Sequence, residues 1–148
     1  MADETYVADT WLYSTLSGDT ALMAAVTGVY SDIAPQGTAF PYVIYSFQGG
    51  HDVGTVNATR IWSSLLYQVK VVSNAPSFGA IAAIVRQIDS LLHRTSGTPS
   101  GGVVVSCDRQ DPLRYVEFTG GKQYLHLGGL YRLQVQSTGS GLPDPEEE

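Results

Sequence analysis

The sequence predicts an α+β domain: a mostly antiparallel β-sheet with helices packed on one face, plus a β-hairpin extension. Three observations predict it. "YVIYSF" and "IWSSLLYQVKVVS" alternate with the period of two that marks half-buried antiparallel strands. "PSFGAIAAIVRQIDSLLHR" carries an unbroken apolar stripe at helical spacing. The elements also follow one another as α–α–β–β–β–α–β–β–β, without the regular strand–helix alternation of a parallel sheet.

In "TYVADTWLYSTLSGD", Val7, Trp11 and either Leu12 or Tyr13 recur at helical spacing, and Gly18 stops the run. Asp19 then caps a second short helix, "TALMAAV", which ends at Gly28. Val29 to Ala34 reads as a brief strand and "PQGT" as a turn. Pro35 and Pro41 lack a backbone donor, so neither suits a central ladder. From Tyr42 onward Tyr42, Ile44 and Ser46 face one way, and Val43, Tyr45 and Phe47 the other.

"QGGHDVGTVNATR" holds three glycines and little apolar periodicity, which suits a long mobile loop or an extended hairpin. In the next strand Ile61, Leu65, Tyr67, Val69 and Val71 share a face, with Ser63 as the blemish. The long helix presents Phe78, Ile81, Val85, Ile88 and Leu92, capped by Asn74 or Ser77, favoured at its end by His93 and Arg94, and terminated near Gly97. "SGTPSGG" is a flexible connector. "VVVSC", "LRYVEFT" and "QYLHLGGLYRLQVQ" complete the sheet, with a hairpin turn at Gly120 to Lys122 and a bulge or bend at Gly128 and Gly129. Residues 1–138 form one domain, and 139–148 read as an acidic disordered tail.

A chain of 148 residues is the length of one domain and can bury a real core. Only 15% of its residues are charged, against a usual share of about 25%, which leaves neutral surface for packing against partners. The formal net charge of -6, with no basic patch, argues against tight phosphate binding. The single cysteine, Cys107, allows no internal disulfide and suits a buried strand thiol. The acidic start lacks a signal sequence, and no apolar run approaches the ~20 residues of a membrane span. The sequon at Asn57 carries little weight without a secretion signal. The expected setting is the cytosol, or a particle assembled there, with no membrane partner.

No phosphate loop, dinucleotide fingerprint, nucleophile elbow or metalloprotease signature is present, so no catalytic, cofactor or metal residue is assigned. His51 beside Asp52 suggests an acid–base or metal pair on paper. Without ligand spacing an exposed loop histidine is the favoured reading. His93 reads as a helix-end residue and His126 as the outward face of a strand. Asp108 and Asp111 read as turn formers. Tyr45, Trp62, Tyr67, Tyr124 and Tyr131 are weighed between core and interface anchors, and core is favoured for each.

The stretch "VYSDIAPQGTAFPYVIYSF" now becomes informative. Val29, Tyr30, Asp32, Ala34, Pro35, Gln36, Gly37, Pro41, Tyr42, Val43 and Tyr45, placed between a short helix and a variable glycine loop, resemble the tail-terminator (tail-to-head joining) family of long-tailed bacteriophages. The resemblance covers Ala21 to Leu92. It implies a non-enzymatic virion protein: a six-membered homo-oligomeric ring that caps the tail tube at its head-proximal end and stops polymerisation. The implied partners are further copies of the chain, the tail tube protein and the head–tail connector, with DNA passing through the ring without specific binding. Tyr30, Pro35, Gly37, Pro41 and Tyr42 become the structural motif, in which the prolines end pairing at a strand edge. The loop from Gly49 to Arg60, with Gly49, Gly50, His51, Asp52, Arg60 and Trp62 as its distinctive residues, becomes the candidate assembly interface, and its deletion from Gly50 to Ala58 should spare the fold. A neck protein of the same particle and a small ligand-binding or enzyme domain are the alternatives.

Overall fold

The computed structural model describes residues 3–54, 56 and 60–137, with the backbone alone at Arg60. The tail expected at 139–148 and the sequon at Asn57 lie outside them. Asp3 opens α1 (Glu4–Ser17) by accepting from Thr5 N at 2.7 Å, and Gly18 closes it by donating to Ser14 O at 3.0 Å. Val7, Ala8, Trp11, Leu12 and Leu16 are its buried face, so Leu12 enters the core and Tyr13 faces out. Asp19 caps α2 (Thr20–Ala25) through Leu22 N at 2.9 Å; the helix ends at Val26, two residues before the predicted glycine.

The strands are β1 (Val29–Ser31), β2 (Tyr42–Gly54), β3 (Arg60–Ser73), β4 (Thr95–Gly97), β5 (Gly102–Thr119) and β6 (Lys122–Ser137), in the spatial order β1-β2-β3-β6-β5-β4. β1 runs parallel to β2 and every other pairing is antiparallel. A one-turn 3₁₀ segment, Phe78–Ala80, leads into α3 (Ala82–Leu92). Neither Asn74 nor Ser77 caps α3, which starts at Ile81 without a side-chain bond. Its end is set by Arg94 in the left-handed region at φ 61, not by Gly97. Gly97 lies in β4, where the indole of Trp11 leaves no room for a Cβ.

All three helices cover one face of the sheet. Val43, Tyr45, Leu65, Tyr67, Val69, Val71, Tyr131 and Leu133 point into that layer beside Leu12, Leu16, Ile81, Ile88 and Leu92. Cys107 is buried among them, and desolvation pushes its thiol well above the ordinary range.

Two strand predictions need correcting. "VVVSC" and "LRYVEFT" are one strand, β5, so Asp108 and Asp111 are strand residues and not turn formers. β5 absorbs its turn-like residues as register shifts between Val104 and Ser106 and between Arg109 and Asp111. Gly128 and Gly129, expected to break β6, sit in unbroken register with Lys70 and Val69 of β3. Their role is close approach: a Cβ on Gly128 would strike the Val69 carbonyl and lie 2.6 Å from Lys70 Cα.

Candidate assembly surfaces

The motif segment connects the parallel strands β1 and β2. Thr27 holds its far end, with N donating to Pro41 O at 2.9 Å and Oγ1 to Ala39 O at 2.7 Å. Thr38 N donates to Pro35 O at 3.1 Å, and Gly37 takes φ 84, as the turn requires. The Phe40–Pro41 peptide is cis. Pairing of β1 with β2 stops at Ser31 and Tyr45, and Asp32 N closes the edge on Tyr45 O at 2.9 Å.

The motif aromatics form a continuous chain. Tyr30 meets Tyr42 edge-on at 6.1 Å, Phe40 stacks on Tyr42 at 5.3 Å, and on its other side Phe40 stacks on Tyr124 at 5.5 Å. Tyr30 and Tyr42 therefore tie the connection to β6. A cleft of about 400 Å³ opens beside them, with Pro35, Gly37 and Tyr42 on one wall and Glu117, Tyr124 and His126 on the other.

His126 lies on the sheet face that carries no helices, opposite Val72 and Tyr115. The sequence placed it outward, and it is; yet it is only 6% exposed. Its ring stacks on Tyr115 at 4.3 Å and 8°, and Nε2 pairs with Glu117 Oε1 at 2.8 Å. Lys70 Nζ donates to Tyr115 Oη at 2.6 Å. Nδ1 is buried with no partner among the described residues. Burial holds the imidazole below its ordinary pKa, while bonds from Thr119 and His126 hold Glu117 below the usual carboxylate range.

The glycine-rich segment resolves as the extended hairpin β2–β3. Gln48 is the extra residue of a bulge between Phe47 and Gly49. Gly49 takes φ 152, and a Cβ on Gly50 would sit 2.5 Å from Ser64 O. His51 and Asp52 are successive strand residues, facing Ser64 and Ser63, so their side chains leave opposite faces of the sheet and form no dyad. Asp52 Oδ1 accepts from Ser63 Oγ at 2.6 Å. Trp62 is half-buried opposite Val53, and Arg60 pairs with Gly54. A shallow cleft of about 220 Å³ joins this segment to the start of α1 through Asp3, Glu4, Phe47, His51 and Asp52.

Two hydroxyl–carboxylate pairs, invisible to sequence spacing, pin helices to the sheet. Tyr67 Oη donates to Asp9 Oδ1 at 2.7 Å, and Tyr131 Oη donates to Asp89 Oδ1 at 3.0 Å. Tyr45, Tyr67 and Tyr131 are core residues, whereas Trp62 and Tyr124 are partly accessible. Among the described residues no group of three or more His, Cys, Asp or Glu is placed to hold a metal ion, and no helix is long and apolar enough to cross a membrane.

Its distinctive surfaces are two long hairpins and an aromatic-lined connection, features of a protein built to pack against other proteins. The chain belongs to the family of tail completion protein gp17, whose model matches residues 10–115, and it is thus a structural component of a phage tail. Among solved structures it is similar to a chain in the virion of a native gene transfer agent particle. That match has 21% identity and a TM-score of 0.67, over 87% of this chain and 96% of the other. A second solved chain shares the fold at 14% identity and a TM-score of 0.54, over 97% of this chain and 100% of the other. No curated protein matches.

Proposed function

We infer that the protein closes the head-proximal end of the phage tail tube as a six-membered ring, ends tube polymerisation and offers the surface to which the head connector binds. Family membership supports this reading, and the structural observation that carries it is the pair of hairpins. β2–β3 and β5–β6 extend past the strands that would cover their outer edges, since β1 pairs only with Val43 to Tyr45 and β4 only along Val104 to Cys107. Surfaces on opposite flanks of one sheet suit heterologous, head-to-tail packing, which closes into a ring when the rotation per copy divides the circle.

In this mechanism the tube protein meets one face of the ring, and the opposite face differs enough that no further tube subunit adds. The β2–β3 hairpin, with Gly49, Gly50, His51, Asp52, Arg60 and Trp62, contacts the tube or a neighbouring copy. DNA passes through the hole without sequence-specific contact. The test is electron microscopy of tail tubes grown with and without the protein. Tubes of uniform length with a ring at one end are expected. Tubes that ignore the protein would overturn the reading and turn attention to the neck.

A further inference from the structure

A row of rings crosses the end of the sheet where β2 and β6 begin and β3 ends: Tyr42, Phe40 and Tyr124, in steps of 5.3 and 5.5 Å. The Phe40–Tyr124 stack lines two clefts at once. One is the cleft of about 400 Å³ that Pro35, Tyr42 and His126 also wall. The other, of about 600 Å³, is bounded by Ala75, Pro76 and Lys122. Tyr42, Phe40 and Tyr124 are each only half-buried, so ring surface is left open along the row. Aromatic-lined grooves of this kind take proline-rich segments, which are extended before they bind and lose little freedom on docking.

Such a segment exists in this chain. Beyond Ser137 the sequence is "TGSGLPDPEEE", in which Leu142, Pro143 and Pro145 are the apolar residues, accompanied by Asp144, Glu146, Glu147 and Glu148. In a polyproline-type helix Leu142 and Pro145 share one edge about 9 Å apart, close to the span of the ring row. The segment cannot serve its own copy. Ser137 and Tyr124 stand at opposite ends of β6, ~40 Å apart at the rise of a strand. Even at full extension Pro145 lies no more than ~29 Å from Ser137.

We propose that Leu142 to Pro145 of one copy lies across the Tyr42–Phe40–Tyr124 row of a second copy. Leu142 enters the cleft beside Tyr42 and His126, and Pro145 the cleft beside Pro76. The charges fix this direction. Glu146, Glu147 and Glu148 then continue on the side that Lys122 lines, and away from Glu117, which rims the other cleft. This contact rests on the reading that copies of the chain assemble, and it specifies one link between them.

The experiment titrates a fluorescent peptide of residues 139–148 with protein and reads anisotropy at about 0.15 M salt. The receptor is the full chain carrying Leu142→Ser, Pro143→Ser and Pro145→Ser, so that its own segment does not compete. Saturable binding with a Kd of about 0.1 mM is expected. A peptide with Leu142→Ser and Pro145→Ser binds at least about tenfold more weakly, and it leaves the receptor untouched. The wild-type chain binds the peptide about twofold more weakly than the receptor, because its copies compete for one another's clefts. A segment folded back on its own copy would act at an effective concentration of about 1 mM and weaken binding by about tenfold. No saturation, indifference to the serine peptide, or that tenfold loss would each overturn the contact. Tube capping is scored separately: capped tubes with a peptide that does not bind discard this contact alone, whereas uncapped tubes with a bound peptide discard the terminator role.

Discussion

His126 is a buried base with one satisfied nitrogen and one that has no partner among the described residues. Because burial lowers its folded pKa, the unfolded chain takes up a proton that the folded chain refuses. Stability contributed here is complete above the ordinary histidine value of about 6.5 and falls as pH drops from there toward the lowered folded value. Glu117, held below the usual carboxylate range, adds a loss only at more acid pH. Asp9 has the opposite sign: its carboxyl is raised, chiefly by burial, so protonating it as pH falls relieves a cost. Unfolding by denaturant should therefore show stability declining between pH 7 and pH 5, and His126→Phe, which keeps a ring against Tyr115, should flatten that slope. A slope unchanged in the variant would mean that other groups produce it. Gly128→Ala is the steric counterpart. Its Cβ would collide with the backbone of β3, which cannot yield as a side chain would, so a loss of ~3 kcal/mol or more in denaturant unfolding is expected.

At the scale of elements, the β2–β3 hairpin shows why substitution tests it better than deletion. Gly50 to Gly54 are laddered to β3 from Leu65 back to Arg60, so removing 50–58 would strip a partner strand and cost fold along with function. The double substitution His51→Glu/Val56→Asp leaves the ladder in place and should abolish tube capping while the circular dichroism spectrum and melting temperature stay near wild type. Retained capping would remove this hairpin from the interface. In the β1–β2 connection, Pro35→Ala keeps the carbonyl that receives Thr38 N and acts mainly through the freer unfolded chain. A loss of about 0.4–1 kcal/mol is expected, measurable by thermal denaturation.

Much of this layer was legible in the residues. Asp19 as a cap, the stripe from Phe78 to Leu92 and the Gly120–Gly121 turn stand where local chemistry puts them, both glycines having positive φ. β5 was not legible. Asp108, Asp111 and Pro112 have turn composition, and only pairing with β6, plus two register shifts, carries them through a single strand. Likewise, alternation put His126 outward correctly, but nothing local reveals that Tyr115, ten or so positions away, covers it.

The whole molecule carries a formal net charge of -6, so copies of it repel one another and their association depends on salt. Association between copies should strengthen as ionic strength rises from 0.01 M toward 1 M, over which the screening length shrinks from ~30 to ~3 Å, while the unfolding midpoint of the monomer changes little. Equal salt sensitivity of the two would mean that the charges act through the fold and not between copies. Family and fold class could be read from the ordered motif and the strand patterns. The strand order could not, because it depends on long-range pairings that place β6, late in the sequence, between β3 and β5.

The place of β6 has a consequence for how the protein is made. The last strand among the described residues, β6, is an inner strand, joined to β3 on one side and to β5 on the other. Until it arrives, the segment through β3 and the β4–β5 segment have no strand between them to unite them. During synthesis the sheet stays in two pieces until residues 122–137 have left the ribosome, so the native sheet forms only after β6 has been translated. A nascent chain halted before Lys122 should remain protease-sensitive throughout, and release of the last strand should convert it to the resistant form in one step.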